Sequence, residues 1–122
     1  MRYTILFILL VTQLTVEAQK NIRNEKAIEA QIDAFLASWN YHDFCDMKNY
    51  IAEDYDFVNA VGMHWKGREA VQYAHHTLHQ SILKNTPMEK RSVTIRFLKP
   101  DVVIAHLLWH IGLITIPSAH SS

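Results

Sequence analysis

A chain of 122 residues, 49% hydrophobic and with 12 basic against 12 acidic side chains, is one small globular domain rather than a disordered or multi-domain polypeptide. The neutral balance excludes a nucleic-acid footprint, which needs clustered Lys and Arg; the longest basic run is Lys90-Arg91. Cys45 is the single cysteine, so no intrachain disulfide can form and the core must hold by packing, while eight histidines are many for this length.

Arg2 supplies a positive start, Thr4 to Val16 an apolar stretch, and Val16-Glu17-Ala18 a small-residue end, the three parts of an export signal. The apolar stretch is shorter than the ~20 residues that cross a bilayer. Residues 1–18 are therefore expected to be a cleaved signal peptide, with 19–26 as an N-terminal extension and no stable membrane anchor after cleavage. An exported protein with one thiol and no disulfide fits a bacterial periplasmic or extracellular location.

Ile28, Ile32, Phe35, Leu36 and Trp39 recur at helical spacing, with Glu29, Asp33 and Ser38 outside that face, which predicts a helix over 24–40. Asp43 is a good N-cap and predicts a second, shorter helix with Phe44, Met47, Tyr50 and Ile51 facing inward. From Tyr55 to Val61 the pattern alternates as in a strand, with Tyr55, Phe57, Asn59 and Val61 on one face and Asp56, Val58 and Ala60 on the other. Gly62 turns the chain, Met63 to Lys66 returns it, and Gly67 ends the hairpin.

A third helix is expected over 68–83, its apolar face made by Val71, Ala74, Leu78 and Ile82. His75 lies inside that face, His79 flanks it and His76 points away. Two strands follow. Arg91 to Leu98 alternates Val93, Ile95 and Phe97 against Ser92, Thr94 and Arg96, and Lys99-Pro100-Asp101 turns the chain into Val102 to His110. The latter is apolar on both faces for much of its length and is expected to be central and buried. Leu113 to Ile116 can begin one more strand, and 114–122 reads as a tail that closes a domain over 27–113. Helices followed by a meandering antiparallel sheet make an α+β cone, with a cavity where the curved sheet wraps the first helix.

Four pieces of the sequence share an order with a known family. They are Trp39-Asn40 with Asp43; Glu53-Asp54 leading into Asp56-Phe57-Val58-Asn59 and Gly62; Trp65-Lys66-Gly67-Arg68-Glu69 leading to His75 and His79; and Arg96-Phe97-Leu98, Pro100-Asp101-Val102, His106 and Trp109. Together, over Ala27 to Gly112, they resemble the SgcJ/EcaC family of the SnoaL-like, nuclear transport factor 2-like superfamily. The resemblance implies N-terminal helices packed on a curved antiparallel sheet, a pocket for a small organic molecule and a homodimer. Family members usually continue past Gly112 with one or two further strands, which this sequence lacks. An oxidoreductase label accompanies the family, yet the sequence holds no GxGxxG and no flavin or metal signature, so no cofactor is expected.

His75 is the leading candidate for chemistry, because an imidazole on an apolar helix face can act as general acid or base; the alternative is a core histidine satisfied by a carbonyl or a Tyr hydroxyl. Asn59, unfavourable in a strand interior, points to a specific partner, either a ligand carbonyl that it orients or a structural group, and Asp54 is a base only if it folds inward. Asp56 points away from Asn59, and Asp43 reads more simply as a cap. Trp39, Phe57, Trp65, His79, His106 and Trp109 are candidate ligand contacts, although three tryptophans in a small protein are more often core. His75 and His79 at i, i+4 can bind zinc only with a third ligand from His106 or His110, a weak pattern without a Glu between them. Three functions follow: proton transfer beside the carbonyl of an apolar compound, in the manner of an isomerase, cyclase or dehydratase; non-catalytic carriage in the same pocket; or an interaction module whose sheet face forms the dimer.

Overall fold

The computed structural model describes residues 2–114, with side chains for residue 13 and for 15–114. Apart from Ile114, the expected tail lies outside the described residues, as does half of the strand expected over Leu113 to Ile116. The chain divides into two compact units, Met1–Gln31 and Ile32–Ser122. The described part of the first is helix throughout; the second holds the core.

Helix α1 runs Arg2–Tyr41, so the expected start near residue 24 is corrected. Residues 19–26 contain neither Gly nor Pro and are mostly good helix formers, leaving nothing to stop the helix propagating toward the N-terminus. Its C-terminus closes with His42 N–H donating to the Trp39 carbonyl (3.1 Å) and Asp43 N–H to the Ser38 carbonyl (3.0 Å). This is the double-bonded left-handed cap usually built on glycine, and here the left-handed residue is His42, at φ 57°. Ser38, expected outside the apolar face, is buried. Its hydroxyl accepts from Tyr50 Oη at 2.7 Å and donates to Asp46 Oδ1 at 3.1 Å, which satisfies it inside the fold.

The short helix expected after Asp43 does not form. Asp43 Oδ1 accepts the Cys45 N–H at 2.9 Å, a local turn, and only a 3₁₀ turn forms at Met47–Asn49. The inward residues hold nonetheless. Phe44 and Met47 are fully buried, Tyr50 nearly so, and Ile51 packs against them.

Strands β1 (Asp56–Val58) and β2 (His64–Lys66) pair antiparallel with Phe57 opposite Trp65. The strand is shorter than expected because the Asn59 side chain takes over the turn: Oδ1 accepts the Val61 N–H at 3.1 Å and the Met63 N–H at 2.8 Å, which leaves Val61 exposed. Gly62 and Gly67 supply the positive φ angles, 83° and 85°, that bracket β2. Helix α2 spans Arg68–His79, with Glu69 in its first turn, the favourable end of its dipole for a carboxylate. Residues 80–83, expected to prolong it, form turns in which Leu83 N–H reaches back to the Leu78 carbonyl.

Strands β3 (Met88–Lys99) and β4 (Val102–Ile111) form a second antiparallel ribbon. The single meandering sheet is thus corrected to two two-stranded ribbons. The expectation that β4 is central fails as well: among the described residues it pairs with β3 alone, and Leu108 is 62% exposed. One face of β4 turns to the core through Trp109, and the other, carrying Val102, Ile104, His106, Leu108 and His110, is exposed among the described residues.

The second unit is tied across long sequence distances. The Asn40 amide donates to the Met88 carbonyl and accepts the Met88 N–H, both at 2.9 Å, so one side chain mimics a strand partner. Trp39 Nε1 donates to the Thr86 carbonyl at 2.8 Å, and Lys90 pairs with Asp33 at the surface. Gly112 N–H donates to the Pro87 carbonyl at 2.8 Å, an approach so close that a Cβ on Gly112 would lie 2.7 Å from Pro87 Cδ.

Candidate functional site

α2 presents His75 one turn after Val71 and one turn before Leu78, so the helix period alone drives the ring inward. It is 3% exposed, and five aromatic rings have centroids 5.0–6.4 Å from it: Phe57, Phe44, Phe35, Trp65 and Trp39. α1 supplies Phe35 and Trp39, the β1–β2 hairpin supplies Phe57 and Trp65, and Trp109 from β4 joins through Phe35 at 6.2 Å. Phe35, Phe57, Trp65 and Trp109 are only half-buried, so the cluster is open at this rim.

His75 Nδ1 lies 2.8 Å from the Val71 carbonyl oxygen. A carbonyl can only accept, so the proton sits on Nδ1 and Nε2 carries the lone pair. Burial holds the ring's pKa below its ordinary value, outweighing the Val71 bond, which favours the cation. His75 is therefore a neutral acceptor near pH 7, turned toward aromatic carbon.

A second histidine pair adjoins it. His79, expected at the flank of the face, is 4% exposed beneath Trp39 and Phe44, whose rings lie 4.5 and 4.9 Å away. Its Nδ1 shares a proton with His42 Nδ1 at 2.7 Å, and its Nε2 is buried with no hydrogen-bond partner among the described residues. Burial first, then the charges of His42, His75 and His76, push its pKa down to about 4. Sequence reasoning passed over His42 because nothing in Tyr41-His42 signals a left-handed cap without glycine.

The remaining candidates separate. Asn59 is a turn former, its side-chain oxygen engaged by Val61 and Met63 rather than aimed at the ring cluster. Asp54 is exposed in the loop before β1, so the inward fold a base requires does not occur. Asp56 is exposed and faces His64 Nε2 at 3.4 Å. His106 lies exposed on the outer face of β4, as does His110, so neither can complete a metal site with the buried His75 and His79. An open groove of about 1010 Å³ at the N-terminus of α2, bordered by Lys48, Glu53, Lys66 and Arg68, contains none of the residues around His75.

No family model matches the chain, and no curated protein matches it. Among solved structures, an uncharacterized protein with a cystatin-like fold from Caulobacter vibrioides is similar, with a TM-score of 0.73 and 28% identity. The match covers 76% of this chain and 66% of that one. Helices on antiparallel ribbons and this likeness together make the chain an α+β protein of the cystatin-like, nuclear transport factor 2-like fold.

Proposed function

We propose that the protein is an exported, SnoaL-like pocket protein of the SgcJ/EcaC type that binds a small, largely apolar organic molecule against the aromatic rings around His75. One observation carries the reading: Val71 fixes the Nδ1 proton, leaving Nε2 as a neutral acceptor among half-buried aromatic rings. Such a site suits a ligand with an apolar ring system and one hydroxyl to donate.

Carriage is favoured over proton transfer. A base beside a carbonyl needs a donor to stabilise the developing oxyanion, and Asn59, the expected donor, is held in a turn, while Asp54, the other candidate base, lies in an exposed loop. The cystatin-like neighbour fits small-molecule binding in general terms and assigns no reaction.

The test is a titration of naphthol and of its ketone counterpart tetralone, followed by quenching of tryptophan fluorescence. Naphthol should bind more tightly than tetralone, and His75→Phe should remove that preference, weakening naphthol by about tenfold, the loss of one good hydrogen bond. Equal affinities for the two compounds in the native protein, or a preference that survives His75→Phe, would refute the assignment. Conversion of a ketone to its enol product, lost in His75→Phe, would restore the catalytic reading.

A further inference from the structure

We propose that the His42–His79 contact is an acid-operated latch: one extra proton breaks it, parts the end of α1 from α2, and loosens Trp39 and Phe44, the two rings that wall both His79 and His75. A count of protons carries the argument. Two neutral imidazoles hold two ring protons on four nitrogens. The two Nδ1 atoms lie 2.7 Å apart, which leaves room for one proton between them and not for two. The other proton then sits on one of the two Nε2 atoms. On half-buried His42 it can reach water, whereas on His79 it would be an N–H buried with no partner among the described residues. The neutral pair therefore has His79 donating from Nδ1, with its Nε2 bare.

A third proton removes that choice. With one proton held between the Nδ1 atoms, both Nε2 atoms must carry one, whichever ring is named the cation. His79, 4% exposed, then buries an unpaired N–H and a share of the charge against aromatic carbon. Water relieves both, and the ring reaches it only by leaving its place beside His42. The neighbouring charges do not rescue the cation. Those that act on His79 most are His42 at the end of α1 and His75 and His76 on α2, all of which oppose a further proton. The turn after α1 adds Asp43, whose Oδ1 accepts the Cys45 N–H and whose charge acts on His76, and Asp46, whose Oδ1 accepts from the Ser38 hydroxyl. His42 itself sits at φ 57°, which a residue with a Cβ adopts at a cost, so losing the ring contact also removes part of what holds the cap of α1. Trp39 and Phe44 lie 4.5 and 4.9 Å from His79 and 6.4 and 5.2 Å from His75, so the departure of His79 takes support from the wall of the His75 site. The latch stands on the pair alone, and its effect on a ligand rests on the pocket proposed above.

Amide hydrogen exchange of the full chain at pH 7 and pH 5, corrected for the intrinsic effect of pH and repeated in low urea, tests the latch. The His42 and Asp43 amides, which bond the Trp39 and Ser38 carbonyls, should lose protection by about tenfold at pH 5, through an opening that low urea leaves unchanged. In His79→Phe that loss should disappear. In the native chain alone, NMR of the ring nitrogens should show His42 and His79 changing together as pH falls. Cap amides that open only with the whole fold, an equal loss in His79→Phe, or a His42 ring that titrates while His79 stays unchanged would overturn the latch. Naphthol bound at pH 5 should restore protection to the same two amides. Naphthol that binds without restoring it would overturn the link to the His75 site, and naphthol that fails to bind even at pH 7 would count against the pocket, with the exchange and ring-nitrogen results still deciding the latch.

Discussion

Acidification from pH 7 to pH 5 should weaken the fold, with His79 carrying most of the loss. Its ring lies under Trp39 and Phe44, and burial, reinforced by His42, His75 and His76, moves its pKa from 6.5 to about 4. Between those values the unfolded chain holds a proton that the folded chain does not, so stability rises with pH there. The contribution is complete above pH 6.5 and is lost progressively as pH falls toward 4. For one group with these two pKa values the change from pH 7 to pH 5 comes to ~1.8 kcal/mol, and solvent reaching the pair through the half-buried His42 lowers it to ~1–1.5 kcal/mol. With a urea slope of ~1–1.5 kcal/mol per molar for a domain this small, the unfolding midpoint should fall by about 1 M. Tryptophan fluorescence followed through urea titrations at stepped pH measures it. In His79→Phe the fall should be less than half as large, the remainder coming from His75, whose pKa burial also lowers. An equal fall in the native protein and the variant would show that His79 is not the group being protonated.

Three further outcomes are expected. Asn40→Ala leaves both backbone groups of Met88 without their partner, and should cost ~1–2 kcal/mol and lower Tm by several degrees in a thermal melt. Gly112→Ala forces a methyl against the Pro87 ring and should cost ~1–3 kcal/mol in the same assay, so an unchanged Tm would mean that the two segments separate freely. Protein recovered from the exported fraction should have the intact mass of a chain starting at Gln19, and a mass that includes Met1 would refute export by cleavage.

Periodicity made much of this legible. The helical spacing of Phe35, Leu36 and Trp39, the alternation through Phe57, and the inward phase of Val71, His75 and Leu78 all follow from where apolar side chains recur. Features set by a single local hydrogen bond were not legible. Asn59 reads as an odd polar residue in a strand until its oxygen is seen to bind two amides of the turn, and His42 reads as ordinary loop because left-handed caps are sought at glycine. Ser38 and His79 are polar at the margins of apolar faces; aromatic neighbours far along the chain cover them, and linear spacing does not reveal that. β4 misled for a different reason. Apolar residues on both faces describe a central strand and also a strand whose second side is uncovered, and only the ribbon pairing separates the two.

The clip between Asn40 and Met88 also bears on how the fold lasts in time. Its partners lie 48 residues apart, so it closes only after the chain between them has been drawn into a compact loop, at an entropic cost that local contacts do not carry. The expectation is that it forms after the folding transition state, which folding and unfolding rates of Asn40→Ala would check. Its loss is then expected to speed unfolding while leaving refolding nearly unchanged, and equal slowing of refolding would place the clip in the folding nucleus. That places the lifetime of the native protein in the hands of one side-chain amide at the end of α1.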